Sequence, residues 1–501
     1  MKQMKHNMVG KWIWVMFLPF YFFTFLPLTV SAQYDIIPRP SSISIDAKGR
    51  MLSMQPSPAV TERLNPKVTS PEGWRITVDK KGITIEGSTD AGIFYGRQAL
   101  SQVLSAQPQS LPYAVIESAP RFSYRAMHLD VCRHFFGKDF VKQYIDMLAL
   151  HGMNTLHWHL SDDQGWRIEI KKWPRLTEVG SVRNRTVIGR NTGLYDYVPH
   201  GGYFTQDDIR EIVAYAQERH ITIIPEIDMP GHMLAALAAY PELGCTGGPY
   251  EVCPDWGVFD DVLCAGNPKV LQFLEDVMDE VISLFPSTYV HMGGDECPRV
   301  RWEQCPKCQQ LMRSQQLSSE DALQGYMMRH IEKYLAAKGR HIIGWDEIAE
   351  CGVDSSVVIM SWRGVEGGVE AAKKGHDVIM VPTSVCYFDY YQQPEENWSK
   401  PFLIGGYVPL EKVYAFDPAP DSLSADVRRH IIGTQANIWT EYIPYKELLE
   451  YQALPRMAAL CEVQWTAPEQ KDYDDFLRRL PLLLNIYDQK GWRYCKVSGD
   501  R

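Results

Sequence analysis

Two adjacent carboxylates, Asp295 and Glu296, lie in the segment 287-STYVHMGGDECPRV-300. They follow a short apolar run, Thr288–Met292, after a break at Gly293-Gly294. Neighbouring acids repel each other, and a turn alone needs no more than one Asp or Asn. Consecutive residues of an extended segment point in different directions, so these two acids can contact two atoms of one ligand. Pairs of carboxylates are the acid and base groups of glycoside hydrolysis.

Acidic, basic or aromatic side chains follow nearly every apolar run in the second part of the chain. The sets are Arg133-His134, Asp162-Asp163, Glu226 and Asp228, Asp295-Glu296, Trp345-Asp346-Glu347, Trp362, Tyr387 and Asp389, and Trp439 and Glu441. One or two could cap the following helices, the usual role of Asp there, but eight sets in a row indicate the wall of one pocket. Indole rings stack on sugar faces, while carboxylates and guanidinium groups bind sugar hydroxyls. The wall therefore predicts a carbohydrate site.

The apolar runs that end at these sets alternate with helical stretches. The runs are Tyr124–Asp130, Thr155–Leu160, Thr222–Glu226, Thr288–Met292, His341–Trp345, Val357–Trp362, Asp377–Val381 and Ile431–Asn437. The clearest helical stretches are Phe140–His151, Asp207–His220, Pro268–Phe285, Glu320–Lys338 and Val365–Lys374. Eight strands alternating with helices predict an α/β fold, a closed (β/α)8 TIM barrel over residues 119–501. Active sites of such barrels lie at the carboxyl ends of the strands, where the sets are.

A smaller domain is predicted before the barrel, over residues 33–118. This part is dense in Pro, Ser and Gly and has short alternating runs at Trp74–Val78 and Gly82–Glu86. One helix follows them near Ala91–Leu104. The pattern is typical of a small α+β domain. The chain ends at Arg501, soon after the predicted barrel, so we expect no additional carbohydrate-binding domain after it.

Residues 1–32 are typical of a signal peptide. Lysines precede an uncharged run, Trp12–Ala32, which ends in small residues. The run is long enough to span a membrane, so an uncleaved anchor is the alternative. Pro19, Pro27 and the small-residue end favour cleavage after Ala32. We therefore expect an exported protein, periplasmic or extracellular, without stable membrane insertion after cleavage.

Composition and charge exclude other classes of function. The 501 residues are 45% hydrophobic and 22% charged, as in a soluble globular protein. The net charge is −10 without a long basic run, which argues against nucleic acid as a partner. No Gly-rich phosphate loop, Ser-His-Asp set or nucleophilic Cys pattern is present. The expected partner is a glycan.

The cysteine pattern leaves a choice between disulfides and thiols. The 11 cysteines are an odd number, so at least one has no partner within the chain. Cys305 and Cys308 have the spacing of metal ligands, but no second CxxC or HxxxH pair is evident. A local disulfide or free thiols fit better than zinc. Cys245 and Cys264 bracket a Gly/Pro-rich loop and could be linked across it.

A metal-dependent hydrolase is the main competing barrel enzyme. His157-x-His159, at the end of a strand, resembles the first ligand pair of barrel metallohydrolases. That interpretation predicts His at later strand ends, where Trp345 and Trp362 stand instead. The two imidazoles fit better as groups that orient neighbouring carboxylates. We expect neither a metal nor a cofactor at the site.

Six motifs together resemble glycoside hydrolase family 20, the β-N-acetylhexosaminidases. In chain order they are HLDVCRHF, NTLHWHLSDDQGWR, PEIDMPGH, HMGGDE, GWDE and GTQANIWTEY. The resemblance covers residues 121–466, and the small preceding domain fits that family's usual N-terminal domain. It implies removal of terminal β-linked N-acetylglucosamine or N-acetylgalactosamine with retention of configuration.

The resemblance gives the adjacent acids separate roles. The family has no enzyme nucleophile, because the substrate's 2-acetamido oxygen attacks the anomeric carbon. Glu296 resembles the acid that protonates the leaving oxygen. Asp295 resembles the carboxylate that holds the acetamido N–H and stabilises the oxazolinium intermediate. Their proximity is expected to raise the proton affinity of Glu296.

Other residues resemble the family's substrate-binding set. They are Arg133 for sugar hydroxyls, Asp162 and His232 beside the catalytic Glu, Trp345, Trp362 and Trp439 around the acetamido methyl and sugar ring, Tyr387 on the acetamido oxygen, Asp389 on a hydroxyl, and Glu441 on O4. The family often has a further aromatic between the last two strands, for which Trp398 and Tyr414 are both candidates. The alternative from another class is a catalytically inactive sugar-binding barrel, which would need no acid.

Overall fold

The structure is a computed structural model that describes residues 34–394 and 402–497. The predicted signal peptide, residues 1–32, lies outside these ranges. Across the described ranges, no helix combines the length and apolar character needed to cross a bilayer.

The N-terminal part is a small α+β unit. Its elements are β1 (Ser42–Ile45), β2 (Met51–Ser53), β3 (Val60–Leu64), β4 (Trp74–Asp79), β5 (Gly82–Gly87), α1 (Asp90–Ser105), β6 (Ser110–Pro112) and β7 (Ala114–Ser118). Five strands form one sheet in the order β1-β7-β4-β5-β3, and β2 pairs with β6. Alternate residues of β4 are buried, as expected of a strand with one covered face. Helix α1 packs closely on this sheet, because a Cβ at Gly96 would lie 2.6 Å from Ile85 Cγ2.

Twelve further strands follow. They are β8 (Tyr124–Asp130), β9 (Thr155–His159), β10 (Ser161–Asp162), β11 (Gly165–Trp166), β12 (Val182–Arg183), β13 (His200–Gly201), β14 (Thr222–Glu226), β15 (Tyr289–His291), β16 (His341–Trp345), β17 (Val358–Ser361), β18 (Val378–Met380) and β19 (Ile431–Ala436). Eight close a barrel in the order β14-β15-β16-β17-β18-β19-β8-β9, and all eight pairings are parallel. Two small hairpins, β10–β11 and β12–β13, lie in the long connection after β9.

Helices surround this barrel. They are α2 (Lys138–Leu150), α3 (Arg175–Glu178), α4 (Gln206–Gln217), α5 (Leu234–Ala239), α6 (Pro268–Leu284), α7 (Val300–Gln304), α8 (Pro306–Gln315), α9 (Glu320–Ala336), α10 (Glu366–Lys373), α11 (Thr383–Cys386), α12 (Leu410–Ala415), α13 (Ala425–Arg428), α14 (Lys446–Ala453), α15 (Arg456–Trp465) and α16 (Tyr473–Lys490). Short 3-10 turns lie at Pro241–Leu243, Asp346–Cys351 and Pro468–Gln470. Local signals set several helix starts: Thr205 and Asp208 form a capping box at α4.

The predicted (β/α)8 fold is confirmed. Three predicted strands, Tyr124–Asp130, Thr222–Glu226 and His341–Trp345, have the expected bounds, and the other five are shorter by one or two residues. The differences lie at the strand ends, where the chain leaves the barrel ladder. The polar and aromatic sets follow the carboxyl ends of the strands and form one face of the barrel.

The small unit packs on the barrel through a buried charge. The guanidinium of Arg125, at the start of β8, is fully buried and donates to both carboxylate oxygens of Glu72, at 2.8 and 2.9 Å. It also lies between the rings of Tyr95 in α1 and Trp465 in α15, at 5.5 and 4.9 Å from their centroids. Aromatic rings and a carboxylate from both units thus enclose one cation.

The cysteines depart from the expected loop link. All 11 lie within the described ranges, and none forms a disulfide. Cys245 and Cys264 do not form a separate pair across their loop. They lie in one cluster with Cys305 and Cys308, because the segments between the barrel strands bring four distant thiols together.

Candidate active site

A cavity of about 370 Å³ opens at the carboxyl ends of the barrel strands. Nine of the eleven predicted site residues line it: Arg133, Asp295, Glu296, Trp345, Trp362, Tyr387, Asp389, Trp439 and Glu441. The other two, Asp162 and His232, lie directly behind the lining and contact Arg133 and Glu296. The barrel topology brings these side chains together, because they stand at or after the carboxyl ends of all eight of its strands.

The adjacent acids are presented by a tight turn after β15. Gly293 and Gly294 have φ of +59° and +97°, in the region that favours glycine. A Cβ at Gly293 would lie 1.6 Å from Asp228 Oδ1, so no side chain fits there. Glu296 itself has φ of +45°, which is uncommon for a residue with a side chain. The turn therefore holds both carboxylates toward the cavity at some conformational cost.

The two acids have different environments. Burial raises the pKa of Asp295 to about 6, although nearby His232 acts in the opposite direction. Its Oδ1 atom is buried and has no hydrogen-bond partner. The side chain of Glu296 is 41% exposed, and His232 Nε2 lies 3.6 Å from its Oε2. The imidazole lowers the pKa of Glu296.

The expected increase in the proton affinity of Glu296 is therefore wrong for the unliganded protein. Glu296 faces water and a cationic imidazole, both of which stabilise its charged form. Asp295 is buried and its Oδ1 has no hydrogen-bond partner, so the destabilising effect of burial falls on Asp295 instead.

A chain of charged groups supports Glu296 from behind. Asp162 Oδ1 lies 3.3 Å from His232 Nδ1, and Asp162 Oδ2 lies 3.0 Å from Arg133 Nη2. Burial alone would raise the pKa of Asp162, but Arg133 and His232 hold it well below its usual range. Burial would lower the pKa of His232, but Asp162 holds it well above its usual range. His232 is therefore an imidazolium that faces Glu296.

The chain continues to the floor of the cavity. His159 donates to Asp162 Oδ2 at 2.7 Å and to Glu226 Oε2 at 2.6 Å. The other oxygen of Glu226 accepts the indole N–H of Trp345 at 3.0 Å. His157 Nε2 lies 3.0 Å from Glu226 Oε2. His157 and His159 thus contact the carboxylate that fixes the floor, which matches the predicted orienting role.

Three Trp side chains shape one end of the cavity. Trp345 is 1% exposed, and its ring lies 5.9 Å from that of Trp439. Trp362 is nearly parallel to Tyr387, at 28° and 6.3 Å between centroids. The indole N–H of Trp362 donates to Glu347 at 2.9 Å. The aromatic walls leave a narrow apolar space that suits a methyl group or a sugar face.

Two further carboxylates face the cavity. Asp389 is 3% exposed, and neither of its oxygens has a hydrogen-bond partner. Burial and the charge of Glu441 raise the pKa of Asp389 well above its usual range. Burial also raises the pKa of Glu441, against the opposing effect of Arg133. Because buried polar atoms without partners are rare, the two oxygens of Asp389 are positioned to accept hydrogen bonds from a ligand.

Sequence reasoning missed part of the cavity wall. Trp256, Gly257 and Val258 line it from the loop before α6. Asn191 fixes this loop, because it donates to Trp256 O at 2.6 Å and accepts from Trp256 N at 3.1 Å. In the sequence, this wall is marked only by Trp256 within a Gly/Pro-rich loop. Such a loop has no helix or strand periodicity from which the direction of a side chain could be predicted.

Of the two candidates for the expected aromatic between the last two strands, only Tyr414 lies within the described residues. Tyr414 lies in α12, donates to Asp472 O at 3.0 Å and packs on Phe476 at 4.9 Å. It belongs to the helix packing outside the barrel and is not at the cavity, because its helix turns it toward α16. Trp398 lies outside the described residues. Tyr390 and Tyr442 supply aromatic lining on this side.

Comparisons with known proteins agree on one family. The profile described as "Glycosyl hydrolase family 20, catalytic domain" matches residues 122–468, and "Glycosyl hydrolase family 20, domain 2" matches residues 47–118. A β-hexosaminidase of Porphyromonas gingivalis is 47% identical over 433 residues, covering 84% of this chain and 54% of that protein. The chain thus spans about half the length of that relative. A β-hexosaminidase of Vibrio furnissii is 36% identical over 479 residues, covering 87% of this chain and 77% of that protein.

Solved structures give the same result. An exo-β-N-acetylglucosaminidase from Vibrio harveyi, solved with N-acetylglucosamine, superposes with a TM-score of 0.81 at 32% identity. The match covers 93% of this chain and 78% of that one. A β-N-acetylhexosaminidase from Bacteroides fragilis superposes with a TM-score of 0.79 at 28% identity, covering 92% of this chain and 96% of that one.

Proposed function

The chain belongs to glycosyl hydrolase family 20, and we propose that it is a β-N-acetylhexosaminidase that removes terminal N-acetylglucosamine or N-acetylgalactosamine from β-linked glycans. One observation carries the proposal: the unpaired, buried oxygens of Asp295 and Asp389 face a cavity walled by Trp. A 2-acetamido sugar has the N–H, hydroxyls and apolar methyl group that such a cavity lacks.

The shape of the cavity supports exo-action. Trp345 closes the floor, and its indole is fixed by the buried carboxylate of Glu226. Asp389 and Glu441 lie in the same wall and are available for hydroxyls of the terminal sugar. A closed pocket accepts one sugar at the end of a chain, whereas a chain interior would need an open cleft.

Asp295 is suited to the acetamido group. Its free Oδ1 can accept the acetamido N–H, and its negative charge balances the cationic oxazolinium that forms when the acetamido oxygen attacks the anomeric carbon. The phenol of Tyr387, which also lines the cavity, can donate to that oxygen and orient it. No side chain then has to act as nucleophile, and attack from within the substrate retains the anomeric configuration.

The acid step uses a proton that the two carboxylates share. In the free protein the higher pKa belongs to Asp295. When Asp295 accepts the acetamido N–H, its ionised form is favoured, and a sugar that covers Glu296 excludes water and raises the pKa of Glu296. His232 Nε2 lies 3.9 Å from Asp295 and 3.6 Å from Glu296, between the two carboxylates. Binding thus transfers the proton to Glu296, which gives it to the leaving oxygen and later accepts one from water.

The test is Glu296→Gln, with Glu303→Gln as a control on an exposed helical Glu. Turnover of disaccharide substrates is expected to fall by about 10²–10⁴-fold, the contribution of a positioned acid. The control is expected to keep full activity, and the wild type is expected to hydrolyse β-N-acetylglucosaminides but not β-glucosides. Activity of Glu296→Gln equal to wild type would overturn the role of Glu296. A wild type that binds N-acetylglucosamine and never releases an aryl leaving group would be a sugar-binding protein.

We also propose that the protein is exported. The lysines before the uncharged run Trp12–Ala32, and the small residues at its end, support a cleaved signal peptide. Expression in a host with a secretory pathway is expected to give mature protein that begins at Gln33. Protein that retains residue 1 and stays in the membrane fraction would indicate the alternative, an uncleaved anchor.

A further inference from the structure

Four cysteine thiols converge away from the sugar cavity. Cys245 and Cys264 flank the loop between α5 and α6, Cys305 is the residue before α8, and Cys308 lies in its first turn. Their four sulfur atoms lie within 4.8 Å of one another. Three of the thiols are at least 95% buried, and Cys245 closes the half-buried edge.

The distances between sulfurs match a tetrahedron. Cys264 Sγ lies 3.7 Å from both Cys305 Sγ and Cys308 Sγ, and Cys245 Sγ lies 3.9 Å from Cys308 Sγ. Four thiolates around Zn²⁺ with bonds of about 2.3 Å have sulfurs about 3.8 Å apart. A disulfide needs the sulfurs at about 2.05 Å. Cys264 Sγ is equally far from two other sulfurs, as expected when all of them surround one ion. In a disulfide, it would lie close to only one of them.

The backbone around the cluster suits thiolate charge. Gly266 N donates to Cys308 Sγ at 3.3 Å. A side chain at Gly266 could not allow this approach, because its Cβ would lie 2.2 Å from the backbone carbon of Lys307. Cys308 also lies where the free N–H groups of α8, a ten-residue helix, favour negative charge.

We propose that Cys245, Cys264, Cys305 and Cys308 bind one Zn²⁺ as a closed structural site. Binding releases the thiol protons, so that Zn²⁺ and four thiols give a zinc tetrathiolate of charge −2 and four protons. Four protein ligands leave no open position for water or substrate, so the ion takes no part in the reaction.

The site joins two walls of the sugar cavity. The loop between Cys245 and Cys264 carries Trp256 and Val258, which line the cavity. Cys305 and Cys308 follow the catalytic Glu296 by 9 and 12 residues. The zinc thus fixes this part of the cavity wall to the segment that carries the acid.

Further contacts make the same connection. Arg301 donates to both oxygens of Asp261, at 2.8 and 3.1 Å. The indole N–H of Trp302 donates to Leu263 O at 2.9 Å. These bonds hold the two segments in place beside the thiols, so the sulfurs are preorganised for an ion rather than brought together by it.

The first experiment measures metal in the purified full-length protein. Elemental analysis is expected to give about one zinc per chain that survives dialysis, and growth in cobalt is expected to give the visible absorption of tetrahedral cobalt thiolate. Absence of bound metal would overturn the proposal, whether the thiols titrate as free or as two disulfides. Stoichiometric iron would overturn the choice of zinc.

The second experiment uses single Cys→Ser variants. Cys308→Ser and Cys245→Ser are expected to lower zinc from about one per chain to near zero. Cys253→Ser, a buried cysteine of the same loop outside the cluster, is the matched control and keeps the metal. Cys245 lies at the half-buried edge, so its variant is the one expected to fold. Retention of one zinc in folded Cys245→Ser would exclude the four-thiolate site.

Kinetics then test what the zinc does. In Cys245→Ser, KM for a disaccharide is expected to rise more than kcat falls, because the loop with Trp256 forms part of the cavity wall and carries none of the acid groups of the reaction. This expectation rests on the proposed function, whereas the metal content does not. Unchanged KM in a metal-free, folded variant would contradict a role in holding the cavity wall.

Discussion

Two carboxylates at the cavity surface, Asp295 and Asp389, and two carboxylates one layer beneath, Asp162 and Glu226, are all buried but have opposite surroundings. Asp162 and Glu226 contact imidazolium, guanidinium or indole N–H groups. Asp295 and Asp389 retain oxygens without any partner. The pKa values reflect this difference. Burial would raise the pKa values of Asp162 and Glu226, but their charged partners hold them below the usual range. Burial raises the pKa values of Asp295 and Asp389.

The difference indicates that the paired acids contribute to stability and the unpaired acids to the proposed activity. Paired acids fix the floor and the supporting histidines, and their loss is expected to damage the fold. Unpaired acids destabilise the folded protein, since a buried charge without a partner is unfavourable. Under the proposed function, the substrate supplies the missing partners. Removal of either kind of carboxylate therefore reduces activity, but only the first kind is expected to reduce stability.

The largest effect is expected for Glu226→Gln. The amide removes the charge that faces His159 and accepts from Trp345, so the free energy of unfolding is expected to fall by about 3–5 kcal/mol, as when one partner of a buried ion pair is removed. Urea unfolding followed by tryptophan fluorescence measures it. Glu117→Gln, in a half-exposed pair with Arg75, is the control and is expected to cost about 0–1 kcal/mol. Equal losses would remove the distinction between the two layers.

Asp295→Asn is expected to separate activity from stability. Because a neutral amide cannot balance the oxazolinium charge, kcat/KM is expected to fall by about 10²–10³-fold. The free energy of unfolding at pH 8 is expected to rise by about 1–3 kcal/mol, since an unpaired buried charge is removed.

The sign of this gain depends on pH. The raised pKa of Asp295, about 6, means that its ionised form destabilises the fold fully above pH 6, and this penalty disappears as the pH falls to about 4, where the unfolded chain also takes up the proton. The advantage of Asp295→Asn is therefore expected at pH 8 and not at pH 4. A variant less stable than wild type at pH 8 would place Asp295 with the paired acids.

Asp389→Asn is expected to have a smaller effect of the same type. One hydrogen bond to a sugar hydroxyl is lost, which raises the activation free energy by about 1–3 kcal/mol, so kcat/KM is expected to fall roughly 5–150-fold. The variant is expected to unfold at a higher temperature than wild type in calorimetry at neutral pH. A lower midpoint would show that Asp389 has a partner within the folded chain.

The pH profile gives the smallest effect. Because the reaction needs one proton on the pair of Asp295 and Glu296, kcat/KM is expected to be highest below the upper pKa of that pair and to fall about tenfold per pH unit above about 6. Steady-state assays from pH 4 to 8 measure it. A profile that is flat to pH 8 would mean that the pair keeps its proton at neutral pH.

The sequence predicts the barrel well because each strand is a short apolar run followed at once by a polar or aromatic set. Because all eight strands are parallel, their carboxyl ends lie at the same end of the barrel. Arg133, Asp295, Trp345 and Asp389 are therefore brought to that end whatever their spacing along the chain. The end of the barrel at which each of these residues lies can thus be predicted from the local sequence pattern.

Other features depend on distances that no local pattern contains. The pKa of Glu296 depends on where the ring of His232 lies, and the sequence does not encode that position as a spacing. Trp256 reaches the cavity on a loop without periodicity. The four thiols belong to separate segments, so the pair Cys245 and Cys264 resembles no metal motif until the loops fold beside Cys305 and Cys308.

The enclosed guanidinium of Arg125 has a consequence for protein engineering. Its carboxylate and one of its aromatic neighbours, Glu72 and Tyr95, come from the small unit, and the other, Trp465, comes from the barrel. Truncation before β8 would leave Trp465 as an apolar patch on the outside of the catalytic barrel and Arg125 without its counter-ion. The minimal active fragment therefore includes both units, and domain-swapped chimeras must retain the native companion of each barrel.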